Sequence, residues 1–197
     1  HAYTPMIRLA AALTLYIAAS ATAQNYPSRP IRMMVPAATG GVTDIAARVL
    51  TPRLSEVLGQ SVVVDNRAGA GGIIGTDIVA KAAPDGHTLI TAFDSFVSNP
   101  FVFGKAPYDT LKDFAPIALL IRGPQIFVAT PRLGAKSFSE FVALAKARPG
   151  SIRFATAGPA TSSRLSVELF ESVSMLDGTT IFFKGGGPAL NDLLGGH

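Results

Sequence analysis

Four times in this chain an apolar run enters a stretch of glycine and hydroxyl residues that then opens a helical pattern. Ile31–Val35 leads into Ala37–Gly41, Ser61–Val64 into Ala68–Gly72, Ile152–Ala155 into Thr156–Ala160, and Thr180–Phe183 into Lys184–Gly187. Strands alternating with helices form parallel sheets with helices packed on their faces, so the fold class is α/β.

In open parallel sheets such loops gather at the carboxyl ends of the strands. Each helix start offers backbone N–H groups and the positive end of a dipole. Glycine lets that backbone approach a ligand closely. Several such ends facing one cleft would hold an anion. With Lys184 the only cation within these loops, the pattern favours a carboxylate over a polyphosphate.

The spacing predicts a helix from Thr43, a candidate cap, to Leu58, with Ile45, Val49, Leu54 and Val57 or Leu58 as its apolar stripe. Gly59 would stop it, and Pro52 should kink or end it. A second helix is expected over 72–82, a third strand over Thr88–Ala92, and a loop-rich stretch over 93–113. Phe114–Ile121 and Gln125–Ala129 read as two further strands. Ser137 and Glu140 have capping-box spacing and open a helix to Ala147. Helices are also expected over 161–175 and 188–194. The turn around Pro107–Pro124 is where the chain would pass from a first lobe, 24–123, to a second, 124–197.

The 197 residues are 48% hydrophobic and carry a net charge of +4, with no cysteine. Disulfides and thiolate chemistry are therefore excluded. No basic block with interleaved aromatics suggests nucleic acid. Residues 6–23 combine an early Arg8, the apolar run Leu9–Ala19 and the small residues Ala21-Thr22-Ala23, which is the pattern of a secretory signal (1–23) cleaved before Gln24. The apolar core is shorter than the ~20 residues of a membrane-spanning helix. Met6 offers a start, which would place residues 1–5 upstream of the protein proper.

The glycine loop Gly69-Ala70-Gly71-Gly72 does not fit a dinucleotide fingerprint. Counting from Gly69 puts Ile74 at the third glycine position, and Gly75 comes one residue late. No pair of histidines has metal-ligand spacing, so neither cofactor nor metal is expected. His87 follows a Pro-Asp-Gly turn and is expected at the surface. Thr161-Ser162-Ser163 has no sequence-evident base beside it and suits a helix cap. An exported α/β hydrolase using Ser162 or Ser163 remains an alternative.

Collinear motifs carry a resemblance. They are Tyr26-Pro27-Ser28-Arg29-Pro30-Ile31, Gly40-Gly41-Val42-Thr43-Asp44, Val64-Asp65-Asn66-Arg67-Ala68-Gly69-Ala70-Gly71-Gly72, Pro84-Asp85-Gly86-His87-Thr88-Leu89, and Lys112-Asp113-Phe114-Ala115-Pro116-Ile117. The last is Lys184-Gly185 with Pro188-Ala189-Leu190-Asn191-Asp192-Leu193-Leu194. Residues 26–197 resemble the substrate-binding proteins of tripartite tricarboxylate transporters, the Bug receptor family. That resemblance implies a two-lobed periplasmic binding protein of the Venus-flytrap, type II-like kind, here with its second lobe incomplete because the family is longer. It implies a non-catalytic, periplasmic, monomeric receptor that passes a small organic carboxylate to membrane transporter subunits. A receptor feeding a membrane sensor kinase is the alternative.

The family's binding loops map onto Thr39, Gly40, Gly41, Thr43 and Asp44; onto Gly69, Gly71 and Gly72; onto Ala157, Gly158, Thr161, Ser162 and Ser163; and onto Lys184, Gly185 and Gly186. Ser95 is a further candidate. Two positions depart from the family's pattern: Thr39 stands where a proline is usual, and Arg164 where a histidine is usual. The third loop also carries Pro159 and Ala160.

Overall fold

The computed structural model describes residues 26–196, so the expected signal segment lies outside the described residues. Strand β1 (Ile31–Val35) is the centre of the first sheet. It pairs in parallel with β2 (Val62–Asn66), register Ile31 to Val62, and with β3 (Thr88–Ile90), register Arg32 to Thr88. Being central, β1 is covered on both faces: Ile31, Met33, Met34 and Val35 are buried. That explains its near-continuous apolar sequence, since a strand buried on both sides shows no alternation.

Helix α1 (Val42–Leu58) returns the chain from β1 to β2 and ends where Gly59 adopts φ 66°. It runs through Pro52 without ending. Pro52 is exposed on its outer side, where the lost hydrogen bond faces water. The buried side of α1 is not the expected stripe. Thr43, Asp44, Ala47 and Thr51 are buried, with Leu54 and Leu58 packed on the core. Ile45, Val49 and Val57 face outward. Thr43 is not the cap either. Gly41 occupies that place with extended backbone, and the Asp44 carboxylate takes the Gly40 amide at 2.9 Å.

After β2 a single 3-10 turn (Ala70–Gly72) leads into α2 (Ile73–Ala80). Within the stretch expected to be loop lies α3 (Ser95–Val102), entered at Asp94, whose carboxylate accepts from the Ser95 amide at 2.8 Å. Pro100 sits inside it, which hid the helix from periodicity. His87 is buried, contrary to expectation. Its ring meets the Tyr26 ring edge-on at 5.1 Å, and Nδ1 lies 3.2 Å from the Asp85 carbonyl.

Residues 114–129 form no strand, although two were expected. Their apolar side chains, Ile117, Leu119, Ile126 and Val128 among them, are exposed. A strand needs a neighbour to satisfy its backbone, and no described strand pairs with this segment.

The second sheet begins after α4 (Phe138–Ala147). Ser137 Oγ accepts from the Glu140 amide at 3.2 Å, as the capping box requires, while Glu140 returns to the Lys136 amide at 2.8 Å. Strand β4 (Ile152–Thr156) alternates buried and exposed residues and pairs in parallel with β5 (Gly178–Phe182), register Ile152 to Gly178. Between them runs α5 (Ser162–Ser174), and α6 (Gly186–Gly195) follows β5. Phe141, Ile152, Phe154, Val167 and Leu176 form the core here. Phe127 and Phe170 join Phe141 and Phe154 in one aromatic cluster, with centroids 5.2–6.1 Å apart.

Candidate ligand-binding cleft

The two sheets present their carboxyl-terminal loops to each other. The Ala38 amide donates to the Lys184 carbonyl at 3.0 Å, tying the first glycine loop to the fourth. A Cβ on Gly187 would lie 2.8 Å from the Thr39 carbonyl oxygen, so these two loops meet backbone to backbone. The second and third loops also approach: a Cβ on Gly158 would stand 3.9 Å from Gly71 Cα. A third link joins α3 to α5, where Asp94 Oδ2 accepts from the Ser162 amide at 2.6 Å. Beside it, Ser98 Oγ donates to the Ala160 carbonyl.

The second loop needs its glycines for two separate reasons. Gly69, Ala70, Gly71 and Gly72 run consecutively at φ 137°, 47°, 64° and 93°, a left-handed path that side chains resist. Gly75 serves contact instead. A Cβ there would come within 2.9 Å of Pro36 Cα and of the Arg67 carbonyl. The late glycine that spoils the dinucleotide spacing is therefore what lets α2 sit against the end of β1.

Between the loops lies a cavity of about 220 Å³. Of the residues singled out from sequence, Gly69, Gly71, Gly72, Ala157 and Lys184 line it. Pro36, Ala70, Phe93, Phe103, Pro159, Phe182 and Phe183 complete its wall. Ala70 and Pro159 lie in the expected loops, but sequence reasoning missed Pro36, Phe93, Phe103, Phe182 and Phe183 because it looked for polar groups. The signal was present in Phe182-Phe183, directly ahead of Lys184, and in Phe93, just past β3. A larger, more open depression of about 740 Å³, around Phe101, Tyr108 and Leu111, shares no residue with the glycine loops.

The remaining candidates hold the loops in shape. Asp44 is buried and accepts from the Gly40 amide (2.9 Å), Arg48 Nε (3.0 Å) and Asn66 Nδ2 (3.0 Å). Burial alone would raise its carboxyl, but the hydrogen bonds from Arg48, Gly40 and Asn66, with the Arg48 charge, outweigh it and hold Asp44 below the usual carboxylate range. Asp65 behaves alike: burial opposes ionisation, and Arg32 and Arg67 override it. Thr43 is buried behind the first loop. Ser95 Oγ donates to the Gly71 carbonyl at 2.8 Å, and Asn99 Nδ2 to the same oxygen at 3.1 Å.

Thr161 caps α5, and its hydroxyl also donates to the Gly158 carbonyl at 2.8 Å. Ser163 Oγ accepts from the Ala157 amide at 3.1 Å. Thr39, Gly40, Gly41, Gly185 and Gly186 belong to the seam between the first and fourth loops. Ser162 and Ser163 are bonded to none of the described histidines. His87 is occupied against Tyr26 and Asp85. Among the described residues no group of three acidic, histidine or cysteine side chains could hold a metal ion. None of the described helices is long and apolar enough to cross a membrane.

A sequence profile for the tripartite tricarboxylate transporter family receptor matches residues 46–197. The chain belongs to that family. It is similar to the protein BugT of Bordetella pertussis, at 43% identity over 201 residues, covering 97% of this chain and 61% of BugT. Among solved structures it is similar to an R. palustris protein determined with adipate. That match has TM-score 0.84 and 34% identity, covering 87% of this chain and 57% of the other. The periplasmic binding protein BugD matches with TM-score 0.78 and 35% identity, covering 87% and 57% respectively. The fold is thus that of the periplasmic binding proteins of this receptor family. The chain spans about three fifths of the length of these relatives.

Proposed function

We propose that this chain belongs to a periplasmic receptor that captures a small organic carboxylate and presents it to the membrane subunits of a tripartite transporter, without catalysing a reaction. The observation that carries this reading is the meeting of glycine-rich helix starts from two parallel sheets around one cavity, with Lys184 at its edge. Backbone amides of Gly69 and Gly71 and the Lys184 ammonium would take the carboxylate. Thr39–Asp44, Ser95, Gly158–Ser163 and Gly185–Gly186 would shape the loops that do so. We assign residues 24–123 to a first lobe and 124–197 to a second, residues 1–23 to an export signal, and the working form to a monomer. The adipate held by one relative supports the ligand class.

Thermal unfolding of the purified chain against a panel of carboxylates tests the reading. A ligand held in the cleft raises Tm with the logarithm of its concentration over Kd once the site is saturated. A Tm that stays fixed with mono-, di- and tricarboxylates alike overturns it. Pull-down from membranes with the liganded protein distinguishes delivery to a transporter from delivery to a sensor kinase.

A further inference from the structure

We infer that the cleft takes a carboxylate with a single anionic head and an apolar body, in preference to a dicarboxylate. This rests on the proposed carboxylate-binding role and narrows its ligand. The first ground is the wall. Phe93, Phe103, Phe183, Pro36 and Pro159 face the cavity, and Lys184 is the one cationic side chain among the described residues lining it. Lys184 is in no ion pair among the described residues, so it can receive one carboxylate.

The second ground is that the other anion seat is already filled. The start of α5 would be the natural place for a second carboxylate. The protein puts its own there: Asp94 Oδ2 holds the Ser162 amide at 2.6 Å. Asp94 is at the same time fixed at the head of α3 through the Ser95 amide. Arg164, stacked over the Phe182 ring that lines the cavity, is also committed. It pairs with Glu168, donates to Thr180 Oγ1 at 2.9 Å and lies 5.6 Å over the Phe182 ring.

A ligand with two carboxylates would therefore press the second against phenyl rings and proline, with no side-chain donor among the described lining residues left to replace its water. Burying a charge in that way is strongly unfavourable. A hydrocarbon end there gains instead by leaving water.

Hexanoate and adipate differ only in the second carboxylate, and hexanamide removes the first. Isothermal titration of the whole 197-residue chain with all three tests the inference. Hexanoate is expected to bind at least about tenfold more tightly than adipate, and hexanamide not at all. Adipate binding as tightly as hexanoate, or more tightly, overturns the inference and leaves the carboxylate reading standing. If neither acid binds, both fail.

The variant Asp94→Ser keeps a hydroxyl at the head of α3 and vacates the Ser162 amide. It should narrow the gap between the two acids, and an unchanged ratio overturns the assignment of that seat. Phe103→Ser should weaken hexanoate more than adipate, and equal weakening of both counts against the apolar wall.

Discussion

Replacing Asp44 by alanine should destabilise this chain by about 3 kcal/mol, because three donors converge on one buried carboxylate. The Asp44 side chain is 2% exposed and accepts from the Gly40 amide, Arg48 and Asn66. Arg48 is half-exposed, so its pairing is screened by solvent and contributes ~0–1 kcal/mol. The Gly40 amide and Asn66 Nδ2 lose a charged acceptor, at roughly 1–3 kcal/mol each. Asn66 keeps its bond to the Ala37 carbonyl at 3.1 Å, which places its share at the low end.

For a chain of this size ~3 kcal/mol lowers Tm by roughly 6–12 °C. Asp44→Asn keeps an acceptor and loses the charge, so it should cost about half as much. Urea melts with a common slope would give the differences directly. A loss below ~1 kcal/mol for the alanine variant would falsify the claim that Asp44 is the scaffold of the first loop. Carboxylate affinity falling with stability unchanged would instead place Asp44 in direct contact with ligand.

Gly187→Ala forces a methyl against the Thr39 carbonyl and Gly40 carbon at 2.8–2.9 Å. Backbone stands on both sides, so it should cost ~1–3 kcal/mol and spread the seam between the first and fourth loops, readable as faster amide exchange at Ala38. Phe154→Ala removes a buried ring of the aromatic cluster and should cost roughly 3–5 kcal/mol in a urea melt. Asp44 and Asp65 both have carboxyls held below their ordinary value in the folded chain. Their stabilisation is complete above the unfolded carboxylate range and is lost as pH falls through the folded values. Tm should therefore be flat near neutrality and drop in acid, with Asp44→Asn flattening that drop.

How much of this was legible depends on what each residue touches. The central strand of the first sheet could be read because a strand covered on both faces is close to continuously apolar, as Ile31–Val35 is apart from Arg32. The face of α1 could not. Apolarity picks out Ile45, Val49 and Val57, yet the sheet-facing side carries Thr43, Asp44, Ala47 and Thr51. That side lies close over β1 and β2 and has to bond the first loop, so small and hydrogen-bonding residues fill it. Helix α3 was hidden by Pro100, and the apolar stretch 114–129 suggested strands that have no described neighbour to pair with. The loops of the site were legible as glycine clusters. Their division of labour was not, because hydroxyls such as Ser95 and Ser163 look like ligand groups in sequence and bond backbone in the structure.

That division explains a chain rich in polar loop residues with so few polar atoms at its cleft. A glycine path at positive φ has no side chains to brace it, and such backbone must be over-determined by its surroundings. Here the bracing comes from behind. Ser95 and Asn99 both hold the Gly71 carbonyl, Thr76 holds the Gly72 carbonyl at 2.8 Å, and Asp44 with Asn66 holds the first loop. Each hydroxyl or amide spent on bracing faces away from the cavity, so the side that faces in is left to backbone, phenyl rings and Lys184. On the proposed function, such bracing would keep the anion seat rigid while the apolar wall varies, since changing Phe93, Phe103 or Phe183 removes no brace. Ligand choice would then reside in the aromatic positions and affinity for the carboxylate in the glycine loops. Substitutions at Phe103 should therefore reorder a carboxylate panel, whereas Ser95→Ala, which frees the Gly71 carbonyl, should weaken every member of it together.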